Sequence, residues 1–312
     1  MVTKTLRDAL NRLLSSRPAK FPAEQPAPSS GTAEATHSIV APPRPIHRAI
    51  LYRRDVPGGL SPAAPSSRKP FAAPTPVAPL PGIEVHRPSG TARIITTPLE
   101  ETDEQLPLHR AMEHALRPDS PLLPRLASLS ALPHLHSSDV MLMDLETTGL
   151  SCSPLFLAGT LSWVDGRPII RQFLARHYGH EQAVIALFFE ELARHRVLVS
   201  FNGKSFDWPF IRTRAIYHRL PVPPTPAHVD LLHLARRAWK GQVPDCRLTT
   251  LEAYVCGRVR QDDIPGRFIP DAYHAFVRTG DASDLVRILH HNRRDLCTLA
   301  ELLTRLLGEP DY

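Results

Sequence analysis

Two acids one position apart, Asp144 and Glu146 in the run VMLMDLETTGL, close an apolar stretch near the middle of the chain. Residues i and i+2 of a β-strand point to one face, so this spacing predicts two carboxylates side by side. Burying such a pair without partners costs several kcal/mol. A hard divalent cation such as Mg²⁺ or Mn²⁺, which prefers carboxylate oxygens, resolves the conflict. A third acid, Asp207 in VSFNGKSFDWPF, follows a short strand and loop at the start of a helix. A negative side chain there also simply favours the helix N-terminus. A fourth, Asp295 in HHNRRDLCTL, sits in mid-helix, where Asp has poor propensity. His291 lies four residues before it and shares its helical face, whereas His290 lies five before and points well away in a regular helix. The four carboxylates carry the charge that balances two dications.

The elements that must hold these groups are legible from pattern. VMLMDL reads as a buried strand ended by Gly149. LFLAGTLSWV and PIIRQFLAR flank Asp165-Gly166, a two-residue hairpin signal. EQAVIALFFEELARH has helical spacing, VLVSF is a short buried strand, and a helix runs from Asp207 to Arg219 with Pro209 in its first turn. Thr249 and Glu252 have the spacing of a capping box for LEAYVCG. Ser283 to Leu307 carries an apolar stripe of Leu285, Ile288, Leu289, Leu296, Leu299, Leu303 and Leu306. Three strands, then helix, strand and helices, predict a mixed α/β sheet flanked by helices.

With the three acidic motifs in this order, the chain resembles the DEDD 3′–5′ exonuclease superfamily. Its first motif corresponds to Asp144-Leu145-Glu146-Thr147-Thr148-Gly149. Its second, N-x-x-x-F-D, corresponds to Asn202 through Asp207, and its third to His290 or His291 with Asp295. The stretch 140–304 is similar to the YprB-type ribonuclease-H-like domain, through HVDLLHLARRAWKG, CRLTTLEAYVCG, DDIPGRFIPDAYHAFVRTGD and HHNRRDL. The resemblance implies a ribonuclease-H-like fold and two divalent ions, Mg²⁺ or Mn²⁺, held by Asp144, Glu146, Asp207 and Asp295. It implies 3′→5′ removal of nucleotides from DNA or RNA, with a histidine orienting or deprotonating the attacking water. Superfamily members use His five residues, or Tyr four residues, before the last Asp. This chain has His at both spacings, and the shared helical face favours His291. Thr147 and Leu150 are expected at the terminal nucleotide, and Asn202 and Lys204 along the strand. Arg212, Arg214, Arg236, Arg237, Arg293 and Arg294 are candidate phosphate contacts. Asp230 reads as a supporting acid. Phe201, Phe206 and Trp208 read as core rather than as base-stacking platforms.

The rest of the chain has a different composition. Of 33 prolines, 22 precede residue 137, and residues 1–136 hold most of the net charge of +6. Residues 1–82 read as a disordered Pro/Ala/Ser-rich arm, opened by a short amphipathic helix with Leu6, Leu10, Leu13 and Leu14 on one side. Residues 83–136 read as an accessory segment packing on the core, with a hairpin near 83–100 and a helix in LHRAMEHAL. Residues 137–308 are expected to form the ribonuclease-H-like exonuclease domain. The mild positive excess suits a polyanionic partner, a nucleic acid 3′ end. The arm is a candidate site for a protein partner. Four cysteines without a C-x-x-C pair signal neither a zinc site nor a disulfide framework, so a reduced, cytoplasmic setting is expected. No apolar run has transmembrane length, and Arg7, Asp8 and Arg12 interrupt any signal-peptide core, so no membrane association is expected. The competing class is a catalytically weak nucleic-acid-binding or scaffold protein that uses the same fold.

Overall fold

The computed structural model describes residues 80–102, 120, 122–150 and 153–308. The expected N-terminal helix, the Pro-rich arm up to residue 79 and the LHRAMEHAL helix lie outside the described residues. The chain order is β1 (Ile83–Arg87), β2 (Gly90–Pro98), α1 (Leu122–Leu129), β3 (Val140–Thr147), β4 (Leu155–Val164) and β5 (Arg167–Leu174). It continues with α2 (Glu181–Leu192), β6 (Val197–Ser200), α3 (Asp207–Tyr217), β7 (Ala227–Asp230) and α4 (Leu231–Trp239). The last helices are α5 (Leu248–Tyr254), α6 (Ile269–Thr279) and α7 (Ser283–Leu307). Short 3₁₀ turns lie between them.

The strands form one seven-stranded sheet in the order β1-β2-β5-β4-β3-β6-β7. β3–β6 and β6–β7 pair in parallel, and the other neighbours are antiparallel. The β4–β5 hairpin turns on Asp165 and Gly166, both at positive φ (50° and 79°), the conformation that matches the twist of the flanking strands. The 83–100 hairpin forms as β1 and β2, and β2 adds to the sheet edge beside β5. β7, which overlaps the HVDLL segment, carries no local strand signal. It forms because its backbone pairs with the buried β6 from Val197 to Ser200.

The core has two layers, one on each face of the sheet. Alternation along β3 sends Met141 and Met143 into the layer with α2, α3 and α6. Val140 and Leu142 enter the layer with α1, α4 and α5. Asp144 and Glu146 continue the second set by the same period of two. Helix α7 serves both layers. Leu285, Ile288 and Leu289 pack in the first, and Leu296, Leu299, Leu303 and Leu306 pack in the second. Its polar turn, His290 to Asp295, falls where the helix passes from one layer to the other. No helix among the described residues is long and apolar enough to cross a membrane.

Two local expectations change. Helix α5 starts at Leu248 with Arg247 as its N-cap and no side-chain cap, so Thr249 and Glu252 form no capping box. Glu252 is buried and serves Arg260 instead (2.5 Å). Arg214 is not available to phosphates. It is buried on α3 and holds Glu181 of α2 with two bonds, Nε to Oε1 at 2.6 Å and Nη2 to Oε2 at 2.5 Å.

Candidate active site

Three chain segments carry the acids to one place. β3 and β6 are parallel neighbours, so the second half of β3 and the loop after β6 open on the same edge of the sheet. β3 presents Asp144 and Glu146, and the loop after β6 leads into Asp207 at the first position of α3. Helix α7 crosses β3 and brings His291 and Asp295. All four acids are partly buried.

Their charges act on one another. Burial, then Asp295, Glu146 and Asp207, hold the Asp144 carboxyl well above its usual range, opposed by a hydrogen bond from Asn292. Glu146 is pushed up to about 8 by burial, with His291 opposing and Asp295, Asp207 and Asp263 adding to the rise. Asp207 is pushed up to about 7 by burial and by Asp230 and Asp295, against hydrogen bonds from its own amide and that of Leu145. This is a cluster of like charges without sufficient compensation, the condition a divalent cation relieves.

The cluster's hard oxygen donors and combined charge fit Mg²⁺ or Mn²⁺. Among the described residues no three Asp, Glu, His or Cys side chains already close around a single point. Two of the acids are engaged elsewhere. Asn292 Nδ2 donates to Asp144 Oδ2 at 2.8 Å and to its backbone carbonyl at 3.2 Å. Arg260 Nη2 donates to Asp295 Oδ1.

The Asn292 contact is built from three strands and a helix. Gln172 of β5 donates to Asn292 Oδ1 and to the Leu289 carbonyl, both at 2.8 Å, which fixes the amide's orientation. Gly159 of β4 lies opposite Asp144. A Cβ on Gly159 would overlap Asn292 Oδ1, so only glycine leaves room for this side chain.

His291 is buried and has two acidic neighbours. Its Nδ1 lies 2.9 Å from both Asp263 oxygens, and its Nε2 lies 3.5 Å from Asp295 Oδ2. Burial opposes the charged ring, but Asp263, Asp295 and Glu146 outweigh it and raise the pKa. His290 is partly exposed on the same turn. Arg260, in the segment before α6, ties Asp295 to Glu252 and to Asp263 (Nη1 to Oδ2, 3.1 Å).

The remaining candidates differ in their surroundings. Asp230, an expected supporting acid, accepts from the backbone amides of Asn202 (2.8 Å), Lys204 (3.1 Å) and Leu232 (3.1 Å). It thereby shapes the turn before Asp207 and caps α4. Asn202 sits in that turn at φ 63°, and Lys204 is exposed. Thr147 donates to the Gly149 carbonyl at 2.8 Å, at the end of β3. Leu150 is 87% exposed. Trp208 is core in the first layer, and Phe201 is half-buried against the second. Phe206 is not core: it precedes α3 and is 59% exposed, because the first turn turns Trp208 inward and leaves its neighbour outside.

Arg260, Asp263, Asn292 and Gln172 had no assigned role in the sequence. Their links to Asp295, His291, Asp144 and Asn292 span between 28 and 148 residues, and no local pattern reports pairs of that kind. The R-x-x-D spacing of Arg260 and Asp263 is their one local signal.

An antiparallel β3-β4-β5 unit extended by parallel β6 and β7, with acids at the β3 end, defines a ribonuclease-H-like protein. The chain belongs to the RNase H superfamily, whose model matches residues 141–307. It is 36% identical over 172 residues to YprB of Bacillus subtilis, a match covering 54% of this chain and 41% of YprB. It is 25% identical over 160 residues to MJ0365 of Methanocaldococcus jannaschii, covering 50% of this chain and 88% of that protein. A 44-residue stretch is 48% identical to the catalytic chain of DNA polymerase epsilon of Dictyostelium discoideum, covering 14% of this chain and 2% of that one. Among solved structures, the family B DNA polymerase of Pyrobaculum calidifontis aligns with a TM-score of 0.44 and 20% identity, over 54% of this chain and 24% of that chain. The chain thus spans less than half the length of YprB.

Proposed function

We propose that this protein is a metal-dependent 3′→5′ exonuclease that hydrolyses phosphodiester bonds of DNA or RNA. The observation that carries the reading is the convergence of Asp144, Glu146, Asp207 and Asp295 from three segments into one mutually repelling, partly buried cluster beside His291. Membership of the RNase H superfamily supports a nuclease, and the stretch similar to a DNA polymerase supports a nucleic acid substrate.

Asp144, Glu146, Asp207 and Asp295 would hold two divalent ions, Mg²⁺ or Mn²⁺. Bound there, such ions would lower the pKa of water and stabilise charge on the scissile phosphate. Asn292 holds Asp144 in place from the side. His291 presents Nε2 toward the acids, where it would take a proton from the attacking water. Leu150 and Phe206, both exposed next to the acidic motifs, offer apolar faces for the terminal bases, and Thr147, Asn202 and Lys204 offer polar contacts to the strand. The alternative is a catalytically weak nucleic-acid binder. It draws on one observation: Arg260 already compensates Asp295.

The test is incubation of the purified chain with Mg²⁺ or Mn²⁺ and 5′-labelled single-stranded DNA and RNA. A ladder shortened from the 3′ end, absent with chelator and in Asp144→Ala, is the expected result. Binding without cleavage under every metal condition refutes the reading. Loss of turnover in His290→Ala but not in His291→Ala would reassign the base.

A further inference from the structure

We propose that Asp263 is a positioning residue for His291: it fixes which ring nitrogen carries the proton, so that the free lone pair faces the carboxylate cluster. The inference rests on the nuclease reading for its catalytic consequence, but its physical content stands apart from it. Asp263 lies in the segment between α5 and α6, 28 residues before His291, and outside all three acidic motifs. Both of its oxygens lie 2.9 Å from His291 Nδ1. A carboxylate accepts and does not donate, and Asp263 at 2.9 Å is a nearer acceptor than Asp295 at 3.5 Å, so the proton of a neutral ring belongs on Nδ1, although Arg260 Nη1 also lies 3.5 Å from that nitrogen. Nε2 is then bare, and it is the nitrogen on the Asp295 side, 3.5 Å from Oδ2.

The arrangement is rigid. His291 is 8% exposed. Asp263 is anchored by Arg260 Nη1 at 3.1 Å, and Arg260 is itself held by Glu252 at 2.5 Å and by Asp295. One guanidinium therefore ties the orienting acid to the last acid of the cluster. Without Asp263, the remaining acceptor near the ring is Asp295. The proton would move to Nε2 and point at Asp295, which removes the lone pair a base needs.

A purely structural role is the competing account: Asp263 would only neutralise Arg260. The tautomer separates the two. In the full chain labelled with ¹⁵N-histidine, the His291 signals are identified by their loss in His291→Ala and read at a pH that leaves the ring neutral. The wild type should show Nδ1–H with bare Nε2, both in EDTA and with Mg²⁺. Asp263→Ala should show Nε2–H. A wild type with its proton on Nε2 overturns the proposal outright, whether or not the variant folds, and so does an unchanged tautomer in a folded Asp263→Ala. In the exonuclease assay Asp263→Ala should lower kcat by about 10²-fold or more with KM within a few-fold, since positioned acid–base catalysis contributes about 10²–10⁴. Asp263→Glu should recover part of it. Equal losses in both variants, or a loss confined to KM, overturn the positioning role. If the wild type cleaves nothing, the nuclease reading fails while the tautomer still decides the role of Asp263.

Discussion

Replacing Glu146 by Gln should stabilise the metal-free protein while abolishing its turnover. The folded chain holds the Glu146 carboxyl at about 8, chiefly through burial, with His291 opposing the rise and Asp295, Asp207 and Asp263 adding to it. In the unfolded chain the group ionises near 4.5. Between these values the folded state binds a proton that the unfolded state has released, so stability falls as pH rises through the window, and the full loss is present above pH 8. A gap of about 3.5 pH units corresponds to at most about 5 kcal/mol, at 1.36 kcal/mol per unit. Because Glu146 is partly exposed, solvent screening reduces this to roughly 1–3 kcal/mol. A domain of this size shifts its Tm by about 2–4 °C per kcal/mol. Thermal unfolding followed by circular dichroism in EDTA should give nearly equal Tm values for wild type and Glu146→Gln near pH 4.5. At pH 8.5 the variant should melt several degrees higher. Saturating Mg²⁺ should raise the wild type and narrow or reverse the difference, because ligand binding to the folded state stabilises it. A wild type as stable as the variant at pH 8.5 in EDTA would refute the account of these carboxylates as uncompensated like charges.

Three further substitutions probe the scaffold. Gly159→Ala forces Asn292 off Asp144 and should cost about 1–3 kcal/mol through overpacking, together with a fall in kcat that exceeds any change in KM; wild-type kcat would refute the positioning of Asp144 by Asn292. Arg214→Ala leaves the buried Glu181 carboxylate with His218 and the Leu155 amide and should cost about 1.5–3 kcal/mol in chemical denaturation, with an unchanged salt dependence of nucleic acid binding; a weaker salt dependence would restore Arg214 as a phosphate contact. Phe206→Ala should alter stability by no more than about 0.5 kcal/mol, as exposed substitutions do, yet raise KM for single strands; an unchanged KM would remove Phe206 from the substrate path.

How much of this was legible in the sequence depended on range. Asp144 and Glu146 were readable as a same-face pair because strand alternation is a local rule, and the Asp165-Gly166 turn because both positions need positive φ. Helix α7 runs from Ser283 to Leu307 as its leucine stripe predicts, since 25 residues of periodicity leave little ambiguity. The failures are tertiary. Glu252 has capping-box spacing, but Arg260 competes for its carboxylate, and a charge-assisted bond at 2.5 Å outweighs a helix cap. Arg214 looks like a surface cation until α2 brings Glu181 beside it. Phe206 reads as core in an apolar run, but the entry to α3 buries Trp208 and exposes its neighbour. Asp263 and Arg260 reach the site across 28 and 35 residues, in a loop with no periodic signal at all.

The central claim is that the four acids form a binding site for divalent ions. Calorimetric titration of the full chain with Mn²⁺ tests it without relying on turnover. Two ions per wild-type chain are expected, with weaker or fewer sites in Asp144→Asn and Asp207→Asn, and affinity that improves from pH 6 to pH 8.5 as the raised carboxyls of Glu146 and Asp207 ionise. A wild type that binds no Mn²⁺ at pH 8.5, or one whose binding is unaffected by Asp144→Asn, would contradict it.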